Sequence, residues 1–208
     1  MATGDVVIGA MVLAAGRSRR MGVPKLFLPV DDQPLIVHLV DELLRVPVFH
    51  LVVVTGPDGD RIGEVLAKRP ILRVNNPESE SDMLGSVRCG LRALEAACTA
   101  VLVVPGDAPG LEAGLVRKMV AAYVRTGGSL VVPAHEGRRG HPLLLDRRYQ
   151  TSILERYDGV GLRGLLQDHP GEVVEVPASA SVLANWNRPE DYLAWQASRI
   201  SDLRRSGP

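Results

Sequence analysis

Four cations stand within nine residues early in the chain: Arg17, Arg19, Arg20 and Lys25. Just before them, the apolar run Val6 to Leu13 ends in Ala14, Ala15 and Gly16. Small side chains let a ligand approach the main chain, and glycine tolerates backbone conformations that other residues avoid. Successive N–H groups in such a turn form an anion-binding nest. Backbone donors, guanidinium forks and a lysine point charge are together what a triphosphate requires. The pattern is neither GxGxxG nor GxxxxGK[ST]. On these residues alone, a basic, solvated surface loop is the alternative.

A carboxylate supplies the complementary chemistry. Asp107 follows the apolar run Val101 to Val104 in a Gly106-Asp107-Ala108-Pro109 turn. A carboxylate at the end of a buried strand suits a hard cation such as magnesium (Mg2+). An Asx-turn or a helix cap is the other reading. His141, between Gly140 and Pro142, shares a polar turn with Arg138 and Arg139. The two arginines suit a second phosphate or a solvated hairpin, and His141 a hydrogen bond or a structural place. His38, His50, His135 and His169 have no ligand spacing. Cys89 and Cys98 lack metal spacing, so both are expected to be reduced and structural.

These residues need a scaffold, and the hydrophobic pattern specifies one. Short apolar runs at Val6–Leu13, Leu51–Thr55, Leu72–Val74, Val101–Val104, Leu130–Pro133, Pro142–Leu145 and Val173–Val176 read as strands. Helical spacing covers Leu35–Leu44, Asp60–Lys68, Met83–Ala97, Leu111–Val124, Leu162–Gln167 and Pro189–Ile200. Gly127-Gly128 is expected to end the fourth of these helices. The alternation predicts an α/β fold: one three-layer α/β/α Rossmann-like domain over residues 1–208, with 198–208 a frayed tail. The polar excursion from Ala134 to His141 predicts a hairpin, hence a mostly parallel but mixed sheet. Ligands of such sheets bind beyond the carboxyl ends of the strands, where the basic loop and Asp107 both fall.

Lys and Arg together number 24, as do Asp and Glu, so the net charge gives no argument for nucleic acid or a membrane surface. No apolar run approaches the roughly 18 residues of a membrane helix, and the amino terminus lacks a signal-peptide pattern. A cytoplasmic protein is the expectation. Aromatics are only 4% of residues, so aliphatic side chains must build the core.

The exact order of residues adds more. L-A-A-G-x-S-x-R-M-G-x-P-K, carried by Leu13, Ala14, Ala15, Gly16, Ser18, Arg20, Met21, Gly22, Pro24 and Lys25, resembles the signature of the MobA-like nucleotidyltransferases. Asn76-Pro77 followed by Gly85-Ser86 and Gly90-Leu91 is similar to that family's second nucleotide loop and helix. Gly106-Asp107-x-Pro109 resembles its metal-binding turn, and Pro189-Glu190-Asp191-Tyr192 its C-terminal segment. Arg139-Gly140-His141-Pro142 resembles the RGHP segment of the branch that makes cytidylylated molybdenum cofactor, the MocA-like branch.

The resemblance implies a nucleotide site of Leu13, Ala14, Ala15, Gly16, Ser18, Arg20, Lys25, Gly56, Asn76, Gly85, Ser86 and Gly106. It implies catalytic roles for Arg20, Lys25 and Asp107, with Asp107 on Mg2+, and an acceptor site of Arg139, Gly140 and His141. The implied reaction moves CMP from CTP to the terminal phosphate of molybdopterin and releases pyrophosphate. A phosphate monoester, with its second pKa at about 6, is already mostly dianionic at neutral pH and needs no general base. GTP as donor, a sugar-phosphate acceptor, and a non-catalytic molybdenum-cofactor carrier are the alternatives. A molybdoenzyme or its chaperone is the implied protein partner.

Three segments depart from the family pattern. Asn185-Trp186-Asn187 stands where the cytidylyl branch has D-x-D, and resembles the N-x-N of the guanylyl branch. Glu78, Glu80 and Asp82 bring acids to the second nucleotide loop. Asp158-Gly159-Val160-Gly161-Leu162-Arg163 exchanges the first two residues of G-D-x-G-x-R. Ala15 and the RGHP segment favour CTP, whereas Asn185 and Asn187 lean towards GTP.

Overall fold

The computed structural model describes residues 6–78, 82–127 and 129–205. Among the described residues ten strands and seven α-helices follow one another: β1 (Ile8–Ala14), β2 (Pro29–Val30), β3 (Gln33–Pro34), α1 (Leu35–Leu44), β4 (His50–Thr55), α2 (Gly59–Leu66), β5 (Leu72–Asn75), α3 (Met83–Ala93) and β6 (Ala100–Pro105). Then come α4 (Ala113–Thr126), β7 (Leu130–His135), β8 (Arg138–Arg139), β9 (Leu143–Asp146), α5 (Gln150–Glu155), α6 (Leu162–Asp168), β10 (Val173–Pro177) and α7 (Pro189–Arg205).

Seven strands form a continuous sheet in the order β10-β7-β9-β6-β1-β4-β5, with β8 paired to β7. β1 runs parallel to β4 and β6, β4 to β5, and β7 to β10, while β9 is antiparallel to both its neighbours. The sheet is therefore mostly parallel and mixed, as the sequence indicates. The Ala134–His141 excursion is a β-hairpin: Ala134 pairs with Arg139 and His135 with Arg138 across Glu136 and Gly137, both at positive φ.

The central strands β1 and β6 carry no polar side chain because both faces are covered. Ile8, Ala10 and Val12 of β1 face α1, α2 and α4, whereas Met11 and Leu13 pack with α3, α5 and α6. The left-handed Gly127 (φ 60°) closes α4 as expected. Glu42 of α1 reaches across to accept the backbone N–H of Ala113 at 2.7 Å, which satisfies an orphan donor at the start of α4.

Some boundaries need correction. α3 ends at Ala93 and not at Ala97, because Leu94 turns to an extended conformation. Leu94 and Cys98 then pack over Gly9, where an added Cβ would lie 2.9 Å from Leu94 and 2.8 Å from the Cys98 sulfur. α4 begins at Ala113, since Leu111 closes a turn on Ala108. α7 continues past Ile200 to Arg205. α5 and the small β2–β3 hairpin are too short to leave a periodic signal. Both cysteines are free thiols, and among the described residues no helix is long and apolar enough to cross a membrane.

Candidate active site

The chain runs β1, β4, β5 towards one edge and then returns to place β6 on the other side of β1. The loops after β1 and β6 part there, at the carboxyl ends of their strands. An open cleft of about 190 Å³ lies between them, lined by Leu13, Ala14, Ala15, Gly16, Lys25, Ser86, Gly106 and Asp107. Asp82, noted in the sequence only as an acid of the Asn76 loop, completes its walls with Leu26, Met83 and Pro105, which were not singled out.

The two loops are tied together by main chain. The Gly106 N–H donates to the Leu13 carbonyl at 3.0 Å. A Cβ on Gly106 would come within 2.5 Å of that same oxygen. Gly106→Ala should therefore force β1 and β6 apart at their tips and destabilise the fold by about 1–3 kcal/mol, measurable by urea unfolding.

The basic loop holds Lys25 by a short-range device. Ser18 adopts a positive φ of 50°, its carbonyl accepts the Met21 N–H at 2.9 Å, and its Oγ accepts the Lys25 N–H at 3.2 Å. Met21 is buried, while Arg20 is exposed and does not line the cleft. A one-turn 3-10 helix begins at Lys25. The Lys25 ammonium then reaches the Asp107 Oδ2 at 2.7 Å and the Trp186 carbonyl at 3.1 Å. The Trp186 N–H in turn donates to the Asp107 carbonyl at 3.2 Å. Lys25 and Asp107, predicted 82 positions apart as partners in one site, are thus in direct contact.

Trp186 is the feature that sequence reading missed. Its indole is fully buried, and its ring meets Tyr192 edge-on at 4.8 Å and Trp195 at 6.2 Å. Asp191 accepts the N–H groups of Asn187 and Arg188 at 2.9 and 2.8 Å. The Pro189–Tyr192 segment therefore locks the Asn185–Asn187 loop from the helix side. An aromatic between two asparagines was the available signal, but it has no periodicity.

The Asn76 loop is ordered by its own polar groups. The buried Asn76 donates to Ser86 Oγ at 3.1 Å and accepts the Glu78 N–H at 3.0 Å. Asn76 and Gly85 line a groove of about 580 Å³ that adjoins the cleft along Asp82. Gly56 is buried after β4, where its carbonyl accepts the Gly59 N–H at 3.0 Å. Asp82 caps α3 by accepting the Gly85 N–H at 3.2 Å, which gives one acid of this loop a structural task. Glu78 is exposed, and Glu80 lies outside the described residues.

The expected acceptor loop divides. The Arg139 guanidinium pairs with Glu175 at 2.7 Å on the sheet's outer strand. Gly140 lies against the Val182 carbonyl, and the His141 N–H donates to that same oxygen at 3.0 Å. Burial pushes the His141 imidazole below its usual pKa, and the field of Asp107 opposes the shift. Burial thus keeps this ring neutral to lower pH than in the unfolded chain, so stability should fall as pH drops below about 6.5. His141→Asn should shrink the loss between about pH 7.5 and about pH 5.5, measured by urea unfolding. The other histidines are structural, as with His38 at 3.2 Å from the Leu111 carbonyl and His135 at 2.9 Å from that of Ala178.

Among the described residues no three His, Cys, Asp or Glu side chains gather into a metal cage. The donors at hand are the Asp107 carboxylate and the Trp186 carbonyl, both hard oxygens. Such a sparse set fits Mg2+, which takes one or two protein oxygens and fills its shell from water and substrate phosphates.

The profile of the MobA-like NTP transferase domain matches residues 10–173. The chain belongs to this family. A molybdenum cofactor cytidylyltransferase of Escherichia coli (strain K12) is 26% identical over 189 residues, 89% of this chain and 94% of that protein. The bifunctional protein GlmU of Mycolicibacterium paratuberculosis is 35% identical over 140 residues, 62% of this chain but only 28% of the relative. Among solved structures, a nucleotidyl transferase from Methanothermobacter thermautotroptrophicus superposes with a TM-score of 0.81 at 25% identity, covering 96% of this chain and all of the other. This MobA-like chain is thus a nucleotidyltransferase by family, and Leu13, Ala14, Ala15, Gly16 and Lys25 of its basic loop meet Asp107 at the cleft.

Proposed function

We propose that the protein transfers CMP from CTP to the terminal phosphate of molybdopterin and releases pyrophosphate. The observation that carries this reading is the convergence of the Leu13–Gly16 turn, Lys25 and Asp107 on one cleft at the sheet's switch point. The relative named for cytidylyl transfer to molybdenum cofactor matches over nearly its whole length. The RGHP segment at Arg139–Pro142 supports the same branch.

The turn's backbone N–H groups and Lys25 would cradle the triphosphate. Lys25, with Arg20 drawn in from the loop, would neutralise charge spreading over the phosphates as the bond to pyrophosphate breaks. Asp107 would hold Mg2+, with the Trp186 carbonyl beside it. The ion, when bound, supplies Lewis-acid stabilisation of the α-phosphate and leaving group. Catalysis then rests on positioning and electrostatics, and the acceptor phosphate attacks in line without a protein base. Arg139 would have to leave Glu175 to meet an acceptor, whereas the His141 ring already lies within the field of Asp107.

GTP as donor is favoured by one observation: Asn185 and Asn187 provide neutral oxygens where the cytidylyl pattern has acids. Pyrophosphate release should be measured with CTP or GTP, Mg2+ and molybdopterin. Release with CTP supports the proposal. Release with GTP alone reassigns the base, and no release above background with either overturns the reaction.

A further inference from the structure

We propose that Lys25 holds the place of the divalent cation on Asp107 until a nucleotide arrives, so that nucleotide binds first and cation second. This rests on the nucleotidyl-transfer reading above and adds an order to it. The Lys25 ammonium lies 2.7 Å from Asp107 Oδ2 and 3.1 Å from the Trp186 carbonyl. Those are the same two hard oxygens that the protein offers a metal. The pair is sheltered, with side-chain exposures of 16% for Lys25 and 19% for Asp107, so solvent screens it only partly.

A divalent cation entering this state meets a carboxylate already neutralised, with a positive charge in its intended place. At such separations like charges repel strongly outside bulk water. Among the described residues no group of three acids, histidines or cysteines gathers to compensate, and Asp82, which also lines the cleft, caps α3. Mg2+ also gives up water reluctantly and is drawn to sites by substrate phosphates. The nucleotide changes both terms. Its triphosphate competes with Asp107 for the ammonium and brings the remaining oxygen ligands.

The switch asks little of the backbone. Ser18 Oγ fixes the Lys25 main chain at 3.2 Å, so only the flexible side chain need swing from Asp107 towards the Ala14–Gly16 turn across the same cleft.

The test uses Mn2+ as the probe, followed by its paramagnetic resonance signal in the full chain without nucleotide. Lys25→Met should bind Mn2+ at least about tenfold more tightly than the wild type, because the neutralising charge is gone. Adding Asp107→Asn to that variant should abolish the gain. The wild type should also bind CTP in the presence of a chelator, read by thermal shift, which checks the order even if a variant fails to fold. Equal or weaker Mn2+ binding by Lys25→Met overturns the order alone. Loss of CTP binding in chelator, with binding restored by Mn2+, also overturns it. Failure of CTP to bind under either condition removes the nucleotide-site reading as well.

Discussion

Asp107→Asn is expected to lower the turnover of nucleotidyl transfer by on the order of 10³-fold, the scale of losing one preorganised electrostatic group. The substitution keeps side-chain size and an oxygen that can accept from Lys25, so the contact at 2.7 Å need not be lost. What it removes is the negative charge. Asp107 is the one carboxylate that lines the cleft from the β6 side, whereas Asp82 is engaged in capping α3. Stability should fall by no more than about 1–3 kcal/mol, because the pair is sheltered but Asn keeps an acceptor for the Lys25 ammonium. Turnover by pyrophosphate release and melting by calorimetry separate the two effects. A non-catalytic carrier would show no turnover to lose and would bind molybdopterin equally in wild type and variant.

Trp186→Ala is expected to destabilise the fold by about 3–5 kcal/mol, the range for truncating a buried tryptophan. The indole is fully buried, and Tyr192 and Trp195 of α7 would both lose their partner ring. Its Nε1 is buried without a hydrogen-bond partner among the described residues, so packing and not polarity accounts for the residue's place. Trp186→Phe removes that unsatisfied donor and keeps an aromatic ring, and should recover most of the loss. Activity should follow the same order beyond the effect on folding. The Trp186 carbonyl accepts from Lys25, and its N–H holds the Asp107 main chain. Urea unfolding gives the stability, and kcat of the folded fraction below the transition gives the positioning effect.

Much of this architecture is legible from residue order. The doubly covered strands announce themselves as unbroken apolar runs, since α-helices bury both faces of β1, β4 and β6. The meeting of the Leu13–Lys25 loop with Asp107 is legible because both carry particular residue types in a fixed order at strand ends. What is not legible depends on tertiary contact. Leu94 breaks α3 to pack on Gly9, against a helical pattern that runs on to Ala97. Asp82, which reads as an unwelcome acid near phosphates, is a helix cap whose role appears only with the backbone geometry. Arg139 reads as an anion contact but is paired with Glu175, 36 positions away. Trp186 lies in a loop with no period, and its anchoring of Lys25 spans 161 positions.

The most direct test follows the phosphorus atoms themselves. CTP labelled at the α-phosphate and, separately, at the γ-phosphate should be incubated with the protein, Mg2+ and molybdopterin. The proposed reaction places the α-label in a pterin dinucleotide and the γ-label in pyrophosphate, with both signals lost in Asp107→Asn. Retention of both labels in CTP, or appearance of the γ-label on the pterin, would contradict it.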